Sequence, residues 1–341
     1  MSLPIVAEIN INALKTNATN IKNRLNSNVK LCAVVKADAY GHGIIEVANA
    51  IYDYVDYYAC ALSQEAFDLR ISGIDKPILL LTPSYSENVE KLIEYDVTLS
   101  VSSIEEVLSV IKVSNLLEKC THVHIAVNSG MNRLGFDNIC DIKKAVTLIK
   151  QSKYVKITGA FSHFCKPENQ KLTNSQLYTF LYLAEPIKEY DSSVILHVSA
   201  SGGLLKDEKY QLDMVRVGLL FYGYKPFKSS KIDVSPIMQI KAKVIFKRTS
   251  LKGKTLLYGD ETSKNDKAYI IRLGYSDGFL KQGVKNSLKA LCMELSAISK
   301  VTNSDYTIVL DDAEYYAKKY NTSVYEILVN VTKRAQKVYI K

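Results

Sequence analysis

The chain has 341 residues, enough for two domains or for one large barrel with an appended domain. Apolar residues make up 47% and charged residues 23%, proportions that are ordinary for a globular enzyme. The net charge is +9, but the lysines are scattered and form no basic block, which argues against nucleic-acid binding.

The predicted elements alternate regularly. A short strand at 5–11 precedes an amphipathic helix at 12–25. Short apolar runs then predict strands at 30–36, 57–62, 77–82, 97–101, 123–127, 156–162, 193–198 and 213–217. Helical periodicity predicts helices at 63–72, 84–94, 103–117, 139–151 and 169–190. Eight strands alternating with helices favour a (β/α)8 barrel over a doubly wound sheet.

The pattern changes after residue 224. The remaining sequence predicts strands rich in Val, Ile, Tyr and Lys, with turn signals at Lys252-Gly253 and Gly259-Asp260 and one helix at about 311–320. We therefore expect a mainly β C-terminal domain. The predicted domains are a barrel at 12–224 and a β-rich domain formed by 1–11 and 225–341.

The cysteines and the N-terminal sequence indicate the cellular compartment of the protein. The six cysteines show neither a CxxC pair nor disulfide-like spacing, so we expect buried free thiols of a reducing compartment. The start of the chain has no basic region followed by an apolar one, and no run of 18 apolar residues occurs. These features predict a cytoplasmic protein without membrane association, and we assign no metal ligand.

The first barrel strand ends on Lys36, which is followed by a glycine-punctuated turn. One interpretation is a lysine that extends from a strand end into water. The other is an amine whose pKa is lowered by its surroundings, so that it can attach a carbonyl compound covalently. Because barrel enzymes carry their active sites at the carboxyl ends of the strands, the second interpretation is favoured.

Other polar residues follow the later strands at the same rim. Arg133 follows strand five, His163 strand six and Ser201 strand seven, while Arg216 lies inside the apolar run of strand eight. A lone arginine in such a run is more often a strand-end surface residue, but this rim would supply it with a ligand. Glycine-containing turns after strands seven and eight lie where barrels commonly bind phosphate through backbone N–H groups. Together these features predict a pyridoxal phosphate site.

Seven motifs occur in order along the chain: VKADAYGHG at 35–43, SGMNRLG at 129–135, SHF at 162–164, VRVG…YG at 215–223, GYSDG at 274–278, CME at 292–294, and YEIL at 325–328 with Arg334 and Tyr339. This series resembles the alanine racemases, a pyridoxal phosphate family with an N-terminal barrel and a C-terminal β domain. Seven motifs in order are far more specific than any single one.

The resemblance implies the roles of the site residues. Lys36 would hold pyridoxal 5'-phosphate and exchange a proton on one face of the substrate Cα. Tyr275 would serve the opposite face and would come from the second subunit of a homodimer, whose β-rich domain completes its partner's site. The alternative for Tyr275 is an ordinary surface or core tyrosine, since the chain has 23 tyrosines.

The remaining implied roles concern binding. Arg216 would face the pyridine nitrogen and Arg133 the phenolic oxygen, while His163 would orient Arg216 or else be a core histidine. Met293 would donate its backbone N–H to the substrate carboxylate, which Arg133 also contacts. The phosphate would be held by Tyr40, Ser201, Gly218, Leu219 and Tyr325.

This chain departs from the family pattern at four places. Ala126 stands where the family usually has a lysine that braces the arginine, so the brace is absent or is supplied by Asn128 or a bound anion. Ala200 replaces a polar support of the phosphate site. The segment 279–291 is shorter than usual and lacks the tyrosine that lines the substrate entrance, and Glu294 replaces an aspartate.

Two hypotheses of different class follow. The first is a pyridoxal phosphate-dependent racemase that interconverts L- and D-alanine for a bacterial cell wall, with serine or a broader range of amino acids as alternative substrates. The second is a pyridoxal phosphate-binding protein with little catalysis. A decarboxylase of the related barrel-plus-β class is a weaker third hypothesis, because its cysteine and acidic signatures are missing.

Overall fold

The structure is a computed structural model that describes residues 4–83, 89–227, 229, 231–258 and 262–341. The chain divides into two compact units. The first, which we call the β unit, consists of Met1–Lys15, Asp38–Gly43 and Ser235–Lys341. The second, which we call the barrel unit, consists of Thr16–Ala37 and Ile44–Val234.

Strands and helices alternate through most of the described residues. The strands are β1 (Ile5–Asn10), β2 (Lys30–Val34), β3 (Tyr57–Cys60), β4 (Ile78–Leu80), β5 (Leu99–Val101), β6 (Thr121–Ala126), β7 (Val155–Phe161), β8 (Ile195–His197), β9 (Met214–Val217), β10 (Met238–Arg248), β11 (Ala268–Ile271), β12 (Ser296–Ile298), β13 (Tyr306–Leu310) and β14 (Gln336–Ile340). The helices are α1 (Ile11–Lys22), α2 (Lys36–Tyr40), α3 (Ile44–Ala50), α4 (Ser63–Ile71), α5 (Val89–Glu94), α6 (Ile104–Leu117), α7 (Ile139–Gln151), α8 (Gln170–Tyr190), α9 (Ser201–Lys206), α10 (Ala313–Tyr320) and α11 (Val324–Val331). Short 3₁₀ turns occur at Tyr52–Tyr54, Glu208–Tyr210 and Tyr275–Asp277.

The barrel unit contains eight parallel strands in a closed ring. Two four-stranded sheets have the orders β4-β3-β2-β9 and β5-β6-β7-β8. Parallel bridges between Leu79 and Thr98 and between Ala200 and Arg216 join the two sheets at both edges. The predicted (β/α)8 barrel is therefore confirmed, and each predicted strand is found with fewer hydrogen-bonded residues or slightly shifted ends. Carboxyl ends of parallel strands meet at one rim, which positions the residues that follow them.

The predicted barrel helices are also found, and several begin at side-chain caps. Ser103 Oγ accepts the Glu106 N–H at 3.2 Å at the start of α6. Asn138 Oδ1 accepts the Asp141 N–H at 2.9 Å at the start of α7. Each cap thus satisfies one of the four N–H groups that lack an acceptor within the helix. Of the helix predicted at 84–94, residues 89–94 form α5 and residues 84–88 lie outside the described part.

The β unit is built on a sheet of order β12-β11-β10-β1-β14, with β13 paired to β10. This confirms the mainly β C-terminal domain, but the expectation of one helix was wrong, because α11 follows α10. Residues 324–331 are mainly apolar and partly β-branched, as in a strand. Their helix begins at a capping box, in which Ser323 Oγ and the Glu326 side chain satisfy each other's backbone N–H groups. Gly253 has a left-handed φ of 75°, as the Lys252-Gly253 turn requires, whereas the turn predicted at Gly259-Asp260 lies outside the described residues.

All six cysteines lie in the described residues and are free thiols, but the expectation that all are buried was wrong. Cys32 and Cys60 lie in barrel strands and are buried, whereas Cys120, Cys140 and Cys165 lie outside the strands and are exposed. None of the helices seen in the described residues combines the length and apolar character needed to cross a membrane.

Candidate active site

Lys36 lies directly beyond the carboxyl end of β2 and is half-buried. Burial lowers the pKa of its amine, and the positive charges of Arg133 and Arg216 lower it further, whereas Glu65 acts in the opposite direction. An ammonium that simply reached water would keep its usual pKa. Lys36 therefore loses its proton more easily than a solvent-exposed lysine, as a nucleophilic or basic amine requires.

Glu65 anchors the chain beside Lys36. Its Oε1 accepts the N–H of Ala37 at 2.6 Å, and its Oε2 accepts the N–H groups of Ala61 and Leu62 at 2.9 and 3.0 Å. One buried carboxylate thus ties the residue after Lys36 to the end of β3. Sequence reasoning missed this residue, although an acid at the third position of a predicted helix is a capping signal.

The helix α2 that begins at Lys36 is left-handed. Ala37, Asp38, Ala39 and Tyr40 all have φ between 53° and 55°. This conformation costs roughly 1–2 kcal/mol per residue for L-amino acids, so the surroundings must stabilise it. The buried His42 does so by donating Nδ1–H to the carbonyls of Ala39 and Tyr40 at 2.9 and 3.0 Å.

Gly41 and His42 of the same motif are fixed within the β unit. Gly41 has a φ of 83°, and a Cβ there would lie 2.2 Å from Thr332 Oγ1 and 2.7 Å from the Leu328 carbonyl oxygen. The Tyr339 hydroxyl donates to the His42 carbonyl at 3.2 Å. Only glycine fits at position 41, beside Thr332 and the Leu328 carbonyl, which explains the glycine in the turn after the left-handed helix.

Arg216 is buried in β9, and its two terminal nitrogens donate to the ends of neighbouring strands. Nη1 lies 2.6 Å from His197 Nδ1 and 3.0 Å from the His197 carbonyl. Nη2 lies 2.7 Å from the Ser162 carbonyl, 3.3 Å from that of Val198 and 3.4 Å from His163 Nδ1. Burial lowers the pKa of this guanidinium to about 10, so it stays charged at neutral pH. Its Nε–H donates to no atom of the described residues and remains available to a ligand.

His197, rather than His163, makes the shorter contact with Arg216, and it leads to a second buried histidine. Because a guanidinium only donates, His197 Nδ1 must be unprotonated and its proton must be on Nε2. That Nε2–H donates to His124 Nδ1 at 2.9 Å. Burial and the charge of Arg216 hold the pKa of His197 well below its usual value and lower that of His124 to about 3, so both rings are neutral.

Gly159 of β7 makes room for this pair. A Cβ at Gly159 would lie 2.4–2.5 Å from ring atoms of His124. The sequence offered one signal, a glycine inside a predicted strand, which often marks a close approach. The partner that approaches could not be read from the pattern, because 35 residues separate Gly159 from His124.

The predicted phosphate site lies on buried backbone. Ser201 begins α9, and Gly218 and Leu219 follow β9, all three of them buried. Within the described residues, the backbone N–H groups of Gly218 and Leu219 donate to no backbone acceptor. Buried donors without acceptors are rare in native proteins, so an anion is the natural partner for this group.

Arg133 is exposed and donates no hydrogen bond within the described part of the chain. Asn128 makes no hydrogen bond to it among the described residues, but braces the turn that contains it: Oδ1 accepts the N–H of Asn132 at 2.9 Å, and Nδ2 donates to Asp137 Oδ1 at 2.6 Å. Ala126, Arg133 and His163 line a cavity of about 30 Å³, enough for a water-sized occupant.

Two candidate tyrosines come together in the β unit. The rings of Tyr40 and Tyr325 have centroids 5.7 Å apart. Burial raises the pKa of both phenols, more for Tyr40 than for the half-exposed Tyr325. Both therefore stay protonated at neutral pH and can donate to an anion.

Tyr275 and Met293 also come together in the β unit. The Tyr275 N–H donates to the Cys292 carbonyl at 3.0 Å, and the Ser276 N–H donates to that of Met293 at 3.1 Å. A Cβ at Gly274 would lie 2.0 Å from the Met293 carbonyl oxygen, so the two backbones are in direct contact. The Tyr275 and Met293 side chains are 41% and 56% exposed, and the Met293 N–H has no acceptor among the described residues.

The sequence as a whole is similar to known racemases. Residues 9–226 match the family described as alanine racemase, N-terminal domain. An alanine racemase from Methanococcus maripaludis is 30% identical over the whole of both chains. Alanine racemase 2 from Oceanobacillus iheyensis is 31% identical and covers 98% of this chain and 93% of its own.

Solved structures of alanine racemases also superpose closely on this chain. An alanine racemase from Clostridium difficile superposes with a TM-score of 0.92 at 29% identity, covering 100% of this chain and 96% of its own. The enzyme from Bacillus anthracis, solved with bound L-Ala-P, gives 0.91 at 25% identity over 100% and 96% of the two chains. This chain belongs to the alanine racemase family.

Proposed function

We propose that this chain is a pyridoxal 5'-phosphate-dependent racemase that interconverts L- and D-alanine. The observation that carries the proposal is Lys36, an amine with a lowered pKa at the rim of a barrel that also holds a buried Arg216 with a free Nε–H. Family membership supports the reaction type. When bound, the cofactor would withdraw electrons from the substrate Cα and so make its hydrogen acidic.

The residues present fit this cofactor. Its phosphate would accept the buried N–H groups of Gly218 and Leu219, which otherwise lack backbone acceptors, together with the hydroxyls of Ser201, Tyr40 and Tyr325. Phosphate is the anion that such a donor set suits.

Arginine residues would hold the ring. Arg216 would donate Nε–H to the pyridine nitrogen, with His163 beside it, and Arg133 would contact the phenolic oxygen. Because guanidinium is a donor only, that nitrogen would stay unprotonated and withdraw electrons weakly.

Two bases on opposite faces of Cα would carry out the inversion. Lys36 would remove or deliver the proton on one face, and Tyr275 of the partner subunit would act on the other. In each direction one residue takes a proton and the other gives one, so the configuration inverts and the protonation states of the two exchange. The active unit would be a homodimer.

Arg133 would bind the substrate carboxylate together with the backbone N–H of Met293 of the partner subunit, which is held against Tyr275 of that same subunit. A site that accepts a methyl group rejects a hydroxymethyl group poorly, so serine is the expected competitor. The domain boundaries at 12–224 and at 1–11 with 225–341, the cytoplasmic location and the supply of D-alanine for peptidoglycan stay predictions.

A chiral assay of L-alanine, L-serine and larger L-amino acids with added cofactor tests the proposal. We expect fastest conversion of alanine and none with Tyr275→Phe. Tyr258→Phe is a matched control, because Tyr258 is a β-unit tyrosine that is 84% exposed. A protein that binds the cofactor and leaves every amino acid unchanged would support the alternative of a binding protein without catalysis.

A further inference from the structure

Four charged residues of the β unit form one connected group, which we call the Arg334 cluster: Arg272, Asp277, Glu294 and Arg334. Arg334 Nη1 and Nη2 lie 3.2 and 3.1 Å from the two carboxylate oxygens of Glu294, and Nη1 lies 3.2 Å from Asp277 Oδ1. Arg272 Nη2 lies 2.5 Å from Glu294, and its Nη1 lies 3.6 Å from Asp277. Such two-pronged contacts fix orientation as well as distance.

The cluster connects the two segments that carry candidate site residues. Asp277 lies two residues after Tyr275, and its Oδ2 accepts the Gly274 N–H at 2.8 Å. Glu294 directly follows Met293. Arg334, just before β14, contacts both carboxylates and also donates to the Ser276 hydroxyl.

Ser276 completes the connection. Its hydroxyl donates to the Met293 carbonyl at 2.6 Å, and its N–H donates to the same oxygen at 3.1 Å. The Tyr275 segment and the Met293 peptide are therefore held by one set of contacts, with Arg334 on one side and the backbone pairing on the other.

We propose that Arg334 and Glu294 are positioning residues that set the spacing between the Tyr275 phenol and the Met293 N–H. This inference rests on the proposed function, in which these two groups serve one substrate molecule. Catalysis requires a fixed distance between the Tyr275 phenol, which transfers the proton, and the Met293 N–H, which donates to the substrate carboxylate. A misplacement of about 1 Å can lower a rate by about 100-fold.

Stability alone does not explain the cluster. The side chains of Arg334 and Glu294 are 42% and 41% exposed, and exposed ion pairs contribute little to folding. Glu294→Gln is therefore expected to leave the fold intact and to change the geometry of Tyr275 and Met293. Arg334 also faces the buried carboxylate of Asp277, so Arg334→Lys, which keeps the positive charge there, is the fold-preserving variant at that position.

The test uses Glu294→Gln and Arg334→Met in the full-length enzyme. Lys285→Met is the matched control, because it removes a β-unit ion pair with Asp311 outside the cluster. The α-deuterium isotope effect on kcat/KM is measured with both enantiomers of alanine. Displacement of Tyr275 slows proton transfer at Tyr275 alone.

In both cluster variants we therefore expect kcat/KM to fall about 10- to 100-fold. The isotope effect should rise in the direction in which Tyr275 removes the α-hydrogen and fall in the other. Arg334→Lys keeps the charge but loses the two-pronged contact, so its values should lie between those of Arg334→Met and wild type. Isotope effects and kcat/KM equal to wild type in both cluster variants would overturn the proposal.

Amide hydrogen exchange of the 274–278 and 292–294 segments gives a second readout that needs no activity. Both cluster variants should exchange faster there than the Lys285→Met control. If the wild-type protein fails to racemise alanine, the proposed function fails, and unchanged exchange in both variants would separately overturn the positioning role.

Discussion

Arg216 Nη1 lies 2.6 Å from His197 Nδ1, and this contact determines the proton positions in the buried part of the site. Since the guanidinium only donates, His197 accepts at Nδ1 as a neutral ring and donates a hydrogen bond from Nε2–H to His124 Nδ1. The two histidines hold Arg216 in place without supplying a negative charge. The positive charge of Arg216 is therefore not neutralised by its histidine partners and can act on a ligand bound at the rim of the barrel.

His197→Phe tests this contact. Phenylalanine preserves the ring that stacks on Phe161, whose centroid lies 5.3 Å away, but it leaves a buried guanidinium donor without its acceptor. We expect the free energy of unfolding to fall by about 1.5–3 kcal/mol, measured by urea denaturation. His122→Phe changes a neighbouring half-buried histidine of β6 and should have little effect. Equal stability of the two variants would contradict the role of the Arg216 contact.

Gly159→Ala should destabilise the protein because its Cβ would overlap the His124 ring. Overpacking of this kind costs about 1–3 kcal/mol. The double variant Gly159→Ala/His124→Asn, with a smaller side chain opposite the new methyl group, should recover part of the loss. A double-mutant cycle on urea denaturation measures the coupling, and strictly additive effects would show that the two residues do not compete for space.

Buried histidines predict loss of stability in acid. Burial lowers the pKa values of His124 and His163 to about 3 and that of His42 to about 4, and it holds that of His197 well below its usual value. In the unfolded chain histidine titrates at about 6.5. Below that pH the unfolded state binds protons that the native state does not. The stabilisation is therefore complete above about pH 6.5 and decreases as the pH falls towards these lowered values.

Each such histidine contributes a slope of up to about 1.4 kcal/mol per pH unit to the free energy of unfolding. His124→Gln should make the slope between about pH 6 and 4.5 shallower by one such contribution. Urea denaturation across this range measures it, and a slope identical to that of wild type would contradict the neutral state of His124.

The charges around Lys36 predict opposite shifts of its pKa. Arg133→Met removes a positive charge that lowers the pKa of Lys36, so this pKa should rise. Glu65→Gln removes a negative charge that raises it, so the pKa should fall further. Competitive acetylation of the cofactor-free protein as a function of pH, read by peptide mapping, measures both. Shifts of the same sign would show that the electrostatic description of the site is wrong.

Much of the fold could be predicted because it depends on local patterns. The eight barrel strands are short, mainly apolar runs, and turn residues separate them from amphipathic helices. Helix α11 was missed because its β-branched residues have strand propensity, which the Ser323 capping box and packing override. The prediction that Cys120, Cys140 and Cys165 are buried was wrong, because composition does not show which cysteines lie outside the strands.

The site was predictable only in part. Residues next to a strand end, such as Lys36 and Arg216, could be placed at the rim because the strand pattern places them there. The His124–His197–Arg216 series joins β6, β8 and β9, and no local pattern connects residues so far apart in sequence. The left-handed helix α2 could not be predicted either, because alanine and aspartate in a sequence do not indicate a positive φ.

In the proposed reaction, Lys36 and Tyr275 act as two bases on opposite faces of one substrate carbon. Incubation of each enantiomer of alanine in D₂O with enzyme and cofactor, followed by NMR and chiral chromatography, tests it most directly. Wild type should incorporate deuterium at Cα and invert the configuration. Tyr275→Phe should exchange the α-hydrogen of one enantiomer only, with retention, because Lys36 alone remains. Inversion by Tyr275→Phe at the wild-type rate would contradict the account.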